Sequence, residues 1–151
     1  EEKIQISRVF DELGVDIIEA GFPIASPGDF EAVSEISKIL KNSIPAGLSR
    51  HSKKDIDRCY EALKHAPRFR IHTFISTSPL HMKHKLNKSP EEVYDAIKEH
   101  VTYARNYTDD VEWLDQIEGE DETELTDEMN RLLSEANTFY MREVDRYESM
   151  D

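Results

Sequence analysis

His72 sits inside an alternating run rich in β-branched and aromatic residues, Arg70-Ile-His-Thr-Phe-Ile75, and the next residues, Ser76-Thr-Ser-Pro79, are hydroxyls followed by a proline. Such a run reads as a buried strand, and proline cannot continue its ladder, so a polar loop follows. A parallel α/β sheet draws its functional groups from the carboxyl ends of its strands. Chemistry is therefore expected to rest on His72 and the loop from Ser76 to Ser78. Glu19, Arg50 and Glu112 fall at the ends of three other apolar runs. With His72 they make four candidates for one substrate-binding rim. Geometry assigns none of them a catalytic or metal-binding role.

Simpler readings stand beside other polar residues. His81 and His84 have the i, i+3 spacing of a metal pair, but no third ligand is near, and two solvated histidines flanked by Lys83 and Lys85 need less. Ser26-Pro-Gly-Asp29 could hold an anion at a helix start. Asp29 would repel one, so the segment is taken as a cap. Arg50 is expected to pair with Glu19 across adjacent strand ends. Thr73 should face away from His72 by alternation and be structural. Cys59, the single cysteine, reads as a small half-buried helix residue and fits a reducing compartment.

The elements that must position these residues alternate. Glu2 to Leu13 carries Ile4, Ile6, Val9, Phe10 and Leu13 near one helical stripe, and Gly14 stops it. Val15 to Ala20 reads as a strand, Gly21-Phe-Pro23 as a turn, and a helix follows Ser26 through Leu40. Ile44 to Leu48 is a second strand, Lys53 to Lys64 a helix, and Phe69 to Ile75 the third strand. Ser89-Pro90-Glu91-Glu92 is a helix start with a cap, a first-position proline and a glutamate three residues on, leading through Ala104. Asp109 to Trp113 makes a fourth strand. The fold class is α/β, with a parallel sheet and helices outside it.

Charge divides the chain differently. The net charge is −13, yet residues 1–108 hold 16 acidic and 16 basic side chains while 109–151 hold 16 and 3. No concentrated basic face exists, which argues against nucleic acid. No apolar run approaches membrane-spanning length and EEKIQISRVF does not resemble a signal peptide, so a soluble, intracellular and preferably cytoplasmic protein is expected. Beyond Leu114 the acidic stretch GEDETELTDE precedes Leu125, Met129, Leu132, Leu133, Ala136, Phe139, Tyr140, Val144 and Tyr147, an amphipathic helical pattern. Two regions are thus expected, 1–113 and an acidic linker with helix at 114–151.

The words GVDIIEAGFPIASPGDFEAV, GLSR, KDID, RFRIHTFISTSPLHMKHKL, SPEEV and YARNYTDDVEW together resemble the catalytic barrel of the 2-isopropylmalate synthase family, whose relatives include homocitrate and citramalate synthases and hydroxymethylglutaryl-CoA lyases. The resemblance covers about residues 1–113. It implies a (β/α)₈ TIM barrel of which this chain holds about strands two to five. It also implies an acyltransferase of leucine biosynthesis that condenses acetyl-CoA with 2-oxoisovalerate at a divalent metal, Mg, Mn or Zn, polarising the keto acid. In the family that metal is held by a DTTLRDGEQ-type motif and a late HxH pair with an asparagine. None of these is present here, and Leu114 and Gln116 stand where the family has the serine and glutamate of a SPEDAGR-like run. What the resemblance carries over is one pocket wall, with His72 beside the keto acid. The cluster Lys83, Lys85 and Lys88 could meet coenzyme A phosphates, though a solvated helix face is the simpler reading.

The chain is accordingly expected to be a fragment, as its start without Met and within a helix suggests, and to be inactive by itself because the family's metal-binding motifs are missing from it. A related condensing enzyme with another keto acid is the near alternative. A different class, a non-catalytic half-barrel serving assembly, is the distant one. Open sheet edges and an uncovered apolar face would call for the acidic helix, a second copy in a homo-oligomer, or both.

Overall fold

The computed structural model describes residues 1–77, 81–116, 131 and 134–135. The first helix, α1 (Glu2–Glu12), ends where Gly14 takes φ +78°. There the Gly14 amide donates to Asp11 O at 3.3 Å and the Val15 amide to Phe10 O at 3.1 Å, a Schellman close that favours glycine. Strand β1 (Ile17–Gly21) leads into α2 (Pro27–Ile39). Ser26 caps that helix by accepting from the Asp29 amide at 3.1 Å, and Pro27 occupies the first turn, where its missing donor costs nothing. Strand β2 (Ile44–Arg50) precedes α3 (Lys53–Leu63), capped in the same way by Ser52.

After β3 (Arg70–Ser76), one π-helical turn at Met82–Leu86 closes at Asn87, whose φ is +50°. Helix α4 (Pro90–Ala104) then starts on a full capping box, with the Glu92 amide donating to Ser89 Oγ and the Ser89 amide to Glu92 Oε2 at 2.7 Å. Strand β4 (Val111–Gln116) is the last strand among the described residues.

The four strands lie in the order β1-β2-β3-β4, every neighbour parallel, and alternate with helices as in part of a (β/α)₈ barrel. Alternation gives the sheet two unlike faces. One packs against the helices, joining Ile71, Ile75, Val111 and Trp113 to Val33 and Ile36 of α2, Ile56, Cys59 and Leu63 of α3, and Val93, Ile97 and Val101 of α4. Contact there is close enough that a Cβ on Gly47 would stand 2.7 Å from Cys59 Sγ. Burial pushes the Cys59 thiol pKa up, so it serves as a small apolar filler. The other face carries Glu19, Leu48, Arg50, His72, Phe74 and Glu112.

Element ends differ from the sequence reading in a regular way. Strands β1, β3 and β4 begin later than expected, and all four run further. Strand β4 in particular continues through Gln116 because its partner β3 extends to Ser76. The expected boundary at 113 therefore falls inside a strand.

Helix α1 turns the other way from its apolar stripe. Ser7 and Asp11 are buried, while Ile6, Val9, Phe10 and Leu13 are exposed, Leu13 to 73%. Asp11 explains the orientation. Its Oδ1 accepts from the Asn42 and Ser43 amides at 2.9 and 2.7 Å, its Oδ2 from the Lys41 amide at 3.1 Å, and its own carbonyl from Asn42 Nδ2. These bonds, the one from Ser43 foremost, hold its carboxyl pKa down to about 2. One carboxylate thus docks α1 on the loop between α2 and β2.

The amphipathic helix expected from Leu125 to Tyr147 lies almost wholly outside the described residues. Within it Arg131, Ser134 and Glu135 are helical, and Arg131 meets Glu135 at 2.8 Å. Among the described residues no helix is long and apolar enough to cross a membrane.

Candidate functional site

The open sheet face brings the four expected residues to one side, but at two levels and with partners of their own. His72 lies in the middle of β3, opposite Leu48 on β2 and Glu112 on β4. Its Nδ1 bonds Glu19 Oε2 at 2.5 Å. Since a carboxylate only accepts, the proton on this bond sits at Nδ1. That contact, opposed by partial burial and helped by Glu112, raises the His72 pKa above that of an ordinary histidine, while Arg70 lowers it. His72 Nε2 is buried without a hydrogen-bond partner among the described residues.

Glu19 and His72 belong to strands that are not neighbours. Strand β2 separates them, so their backbones stand about 10 Å apart at ordinary strand spacing. Glu19 is in register with Ala46. A methyl group there leaves room for the two long side chains to meet above β2, and Ala46 is only 2% exposed although Ile44 and Leu48 beside it on the same face stay partly open.

A second charged group lies beside this pair. Arg70, two residues before His72 on the same face, donates from Nε to Asp110 Oδ1 at 2.7 Å and places Nη1 3.5 Å from Glu112 Oε2. Glu112 is the second residue of β4, near its amino end, so it stands in the middle layer with His72. Its expected place at the strand's end assumed a strand from Asp109 to Trp113.

Arg50 alone sits at the carboxyl rim. The expected Arg50–Glu19 pair does not form. Arg50 grips Asp55 through Nε at 2.7 Å and Nη2 at 3.3 Å, with its guanidinium 5.5 Å from the centre of the Phe22 ring. Asp55 is nearer because Ser52 starts α3 directly after β2, putting the third helical residue beside the strand end. Glu19 is drawn away to His72.

The remaining candidates distribute as follows. Thr73 is fully buried on the helix side, where its Oγ1 lies 3.2 Å from His51 Nδ1, as alternation predicts. His51 packs 4.8 Å from the His100 ring, and burial, then His100, pushes its pKa down to about 4. Ser76 and Thr77 are buried; Ser78 is outside the described residues. His84, Lys83, Lys85 and Lys88 are exposed, and Asp29 is a cap residue paired with Lys3 at 3.1 Å.

Sequence reading missed Arg70, Ala46 and Asp55. The two-residue period from His72 signals Arg70, and the Ser52-x-x-Asp55 start signals Asp55. Only the three-strand register reveals Ala46.

No group of three or more His, Cys, Asp or Glu side chains that could hold a metal gathers among the described residues. The arrangement offers a wall with one orientated imidazole, a buffered cluster of Arg70 with two carboxylates, and apolar patches at Leu48 and Phe74.

Comparison with known proteins adds identity to this geometry. The HMGL-like family model matches residues 1–150. The 2-isopropylmalate synthases of Bradyrhizobium sp. (strain ORS 278) and Rhodopseudomonas palustris (strain HaA2) are each 62% identical over 113 residues, and that of Caulobacter sp. (strain K31) is 61% identical over the same length. In each case the match covers 75% of this chain and 22% of the relative, so the chain spans under a quarter of the length of these proteins.

Proposed function

Because this chain belongs to the HMGL-like family, we propose that it forms one wall of the keto acid pocket in an enzyme of the 2-isopropylmalate synthase type, which joins acetyl-CoA to 2-oxoisovalerate. The observation that carries this reading is His72, held by Glu19 on the open face of a four-strand parallel sheet with Nε2 unpartnered among the described residues. Leu48 and Phe74 flank it with apolar surface suited to a branched acyl chain. Arg70 and Glu112 keep the floor of the pocket charged yet internally neutralised.

A divalent cation would polarise the keto acid in such an enzyme, but the described residues do not fit one. The work of this chain is therefore binding, orientation and exclusion of water, and the chain by itself is inactive. The whole protein is expected to be soluble, cytoplasmic and homo-oligomeric.

The test is a chimera in which residues 1–113 replace the matching segment of the Bradyrhizobium enzyme. Metal-dependent release of free coenzyme A from acetyl-CoA and 2-oxoisovalerate should persist, and His72→Ala should cut kcat/KM about 10²-fold, as misplacing a bound substrate does. A folded chimera without activity sinks the assignment. Preference for 2-oxoglutarate or pyruvate would move it to a homocitrate or citramalate type. Turnover by the 151-residue chain alone would overturn its reading as an inactive part.

A second reading, an assembly module without catalysis, draws on the exposed Ile6, Val9, Phe10 and Leu13 of α1. It requires the oligomeric mass to fall when Val9 and Phe10 are both replaced by Asp while the sheet stays folded, and an unchanged mass removes it.

A further inference from the structure

We propose that Glu19 is a positioning residue rather than a substrate ligand: it locks the His72 ring so that Nε2 alone faces a bound 2-oxo acid, with Ala46 supplying the gap through which the lock reaches. This deepens the proposed function and rests on it.

A small acid anion and the Glu19 carboxylate would repel if both approached the same nitrogen, so the bond to Glu19 leaves the opposite edge of the ring for the ligand. That edge carries a buried nitrogen without a partner among the described residues, a costly state that a ligand oxygen relieves. The imidazole, proton-bearing at Nδ1 and accepting or donating at Nε2 according to charge, can answer either a hydroxyl or an anionic oxygen. Among the described residues the charged groups around it are Glu19 from β1, Glu112 from β4 and Arg70 from its own strand, the last engaged with Asp110. None of them competes for Nε2. The strand between contributes no charge at this level, since Ala46 and Leu48 occupy it.

The experiment is nitrogen-detected NMR of His72, in the full 151-residue chain for the bond to Glu19 and in the chimera described above, with and without 2-oxoisovalerate, for the ligand. Expected are a proton fixed at Nδ1, a titration midpoint above that of a free histidine, and a response to 2-oxoisovalerate at Nε2. Glu19→Gln should lower the proton affinity of His72 by about tenfold, the loss of one adjacent carboxylate. Ala46→Leu, which keeps Glu19, should do the same by closing the gap, and it serves if Glu19→Gln does not fold. A midpoint unchanged in a folded variant, or 2-oxoisovalerate moving Nδ1 instead, overturns the positioning role. Coupling to Glu19 without any response to 2-oxoisovalerate sustains the lock and counts against the proposed function instead.

Discussion

Ile71 and His72 are neighbours in the chain and face opposite worlds. Ile71 points into the layer of α2, α3 and α4 and is fully buried; His72 points to the open side and engages Glu19 across a strand. The helix side is built of complementary apolar shapes, with Gly47 conceding its side chain to Cys59 and Leu63. The open side is built of short charged links, Glu19 to His72, Arg70 to Asp110 and Glu112, and Arg50 to Asp55. One set of strands thus separates apolar packing from charged links by the period of two alone.

The sharpest way to break this division is to cut both neighbours back. Ile71→Ala should cost about 3 kcal/mol in urea unfolding, because it leaves a cavity that rigid helices cannot fill. His72→Ala should cost under about 1 kcal/mol, as a partly open side chain without core contacts does. Equal losses would dissolve the distinction.

A polar exception on the buried side sharpens it next. Asp11→Asn leaves an amide where three backbone amides require an acceptor on each oxygen, so thermal unfolding should move down by about 5 °C. The mutation should also remove a loss of stability that sets in only as pH falls below 3.8 toward about 2, where the folded-state carboxyl takes up its proton.

The smallest effect separates the faces by pH. His51, on the helix side, has its pKa lowered to about 4, so its contribution is complete above 6.5 and fades as pH falls toward 4. His72 has its pKa raised, so its contribution is complete below 6.5 and fades as pH rises through its folded value. Melting temperature followed from pH 4 to 9 should show both limbs, with Glu19→Gln flattening the alkaline one only.

Much of the frame was legible because it is written locally. Ser26, Ser89 and Gly14 announce helix ends through bonds within a few residues, and the structure forms each of them. What escaped depended on residues far apart in sequence. The apolar stripe of α1 suggested an inward face, but Asp11 reaches residues 41–43 and outweighs it. Arg50 suggested Glu19, but Asp55 lies five residues away and Glu19 has His72. The four candidate residues were grouped from expected strand ends, which holds only for Arg50, whereas their shared face and the bond between Glu19 and His72 need the register of three strands and one small side chain between them.

The order of the sheet also permits assembly in the order of synthesis. Ile17 meets Ile44, Ala46 meets Arg70 and Ile71 meets Val111, so each new strand docks beside the one made just before it. The last closure spans the most chain, at a cost about half a kcal/mol above the shortest. A ribosome delivering this polypeptide therefore offers each of β2, β3 and β4 a waiting template, and zippering can advance strand by strand without any of them having to search past its predecessor.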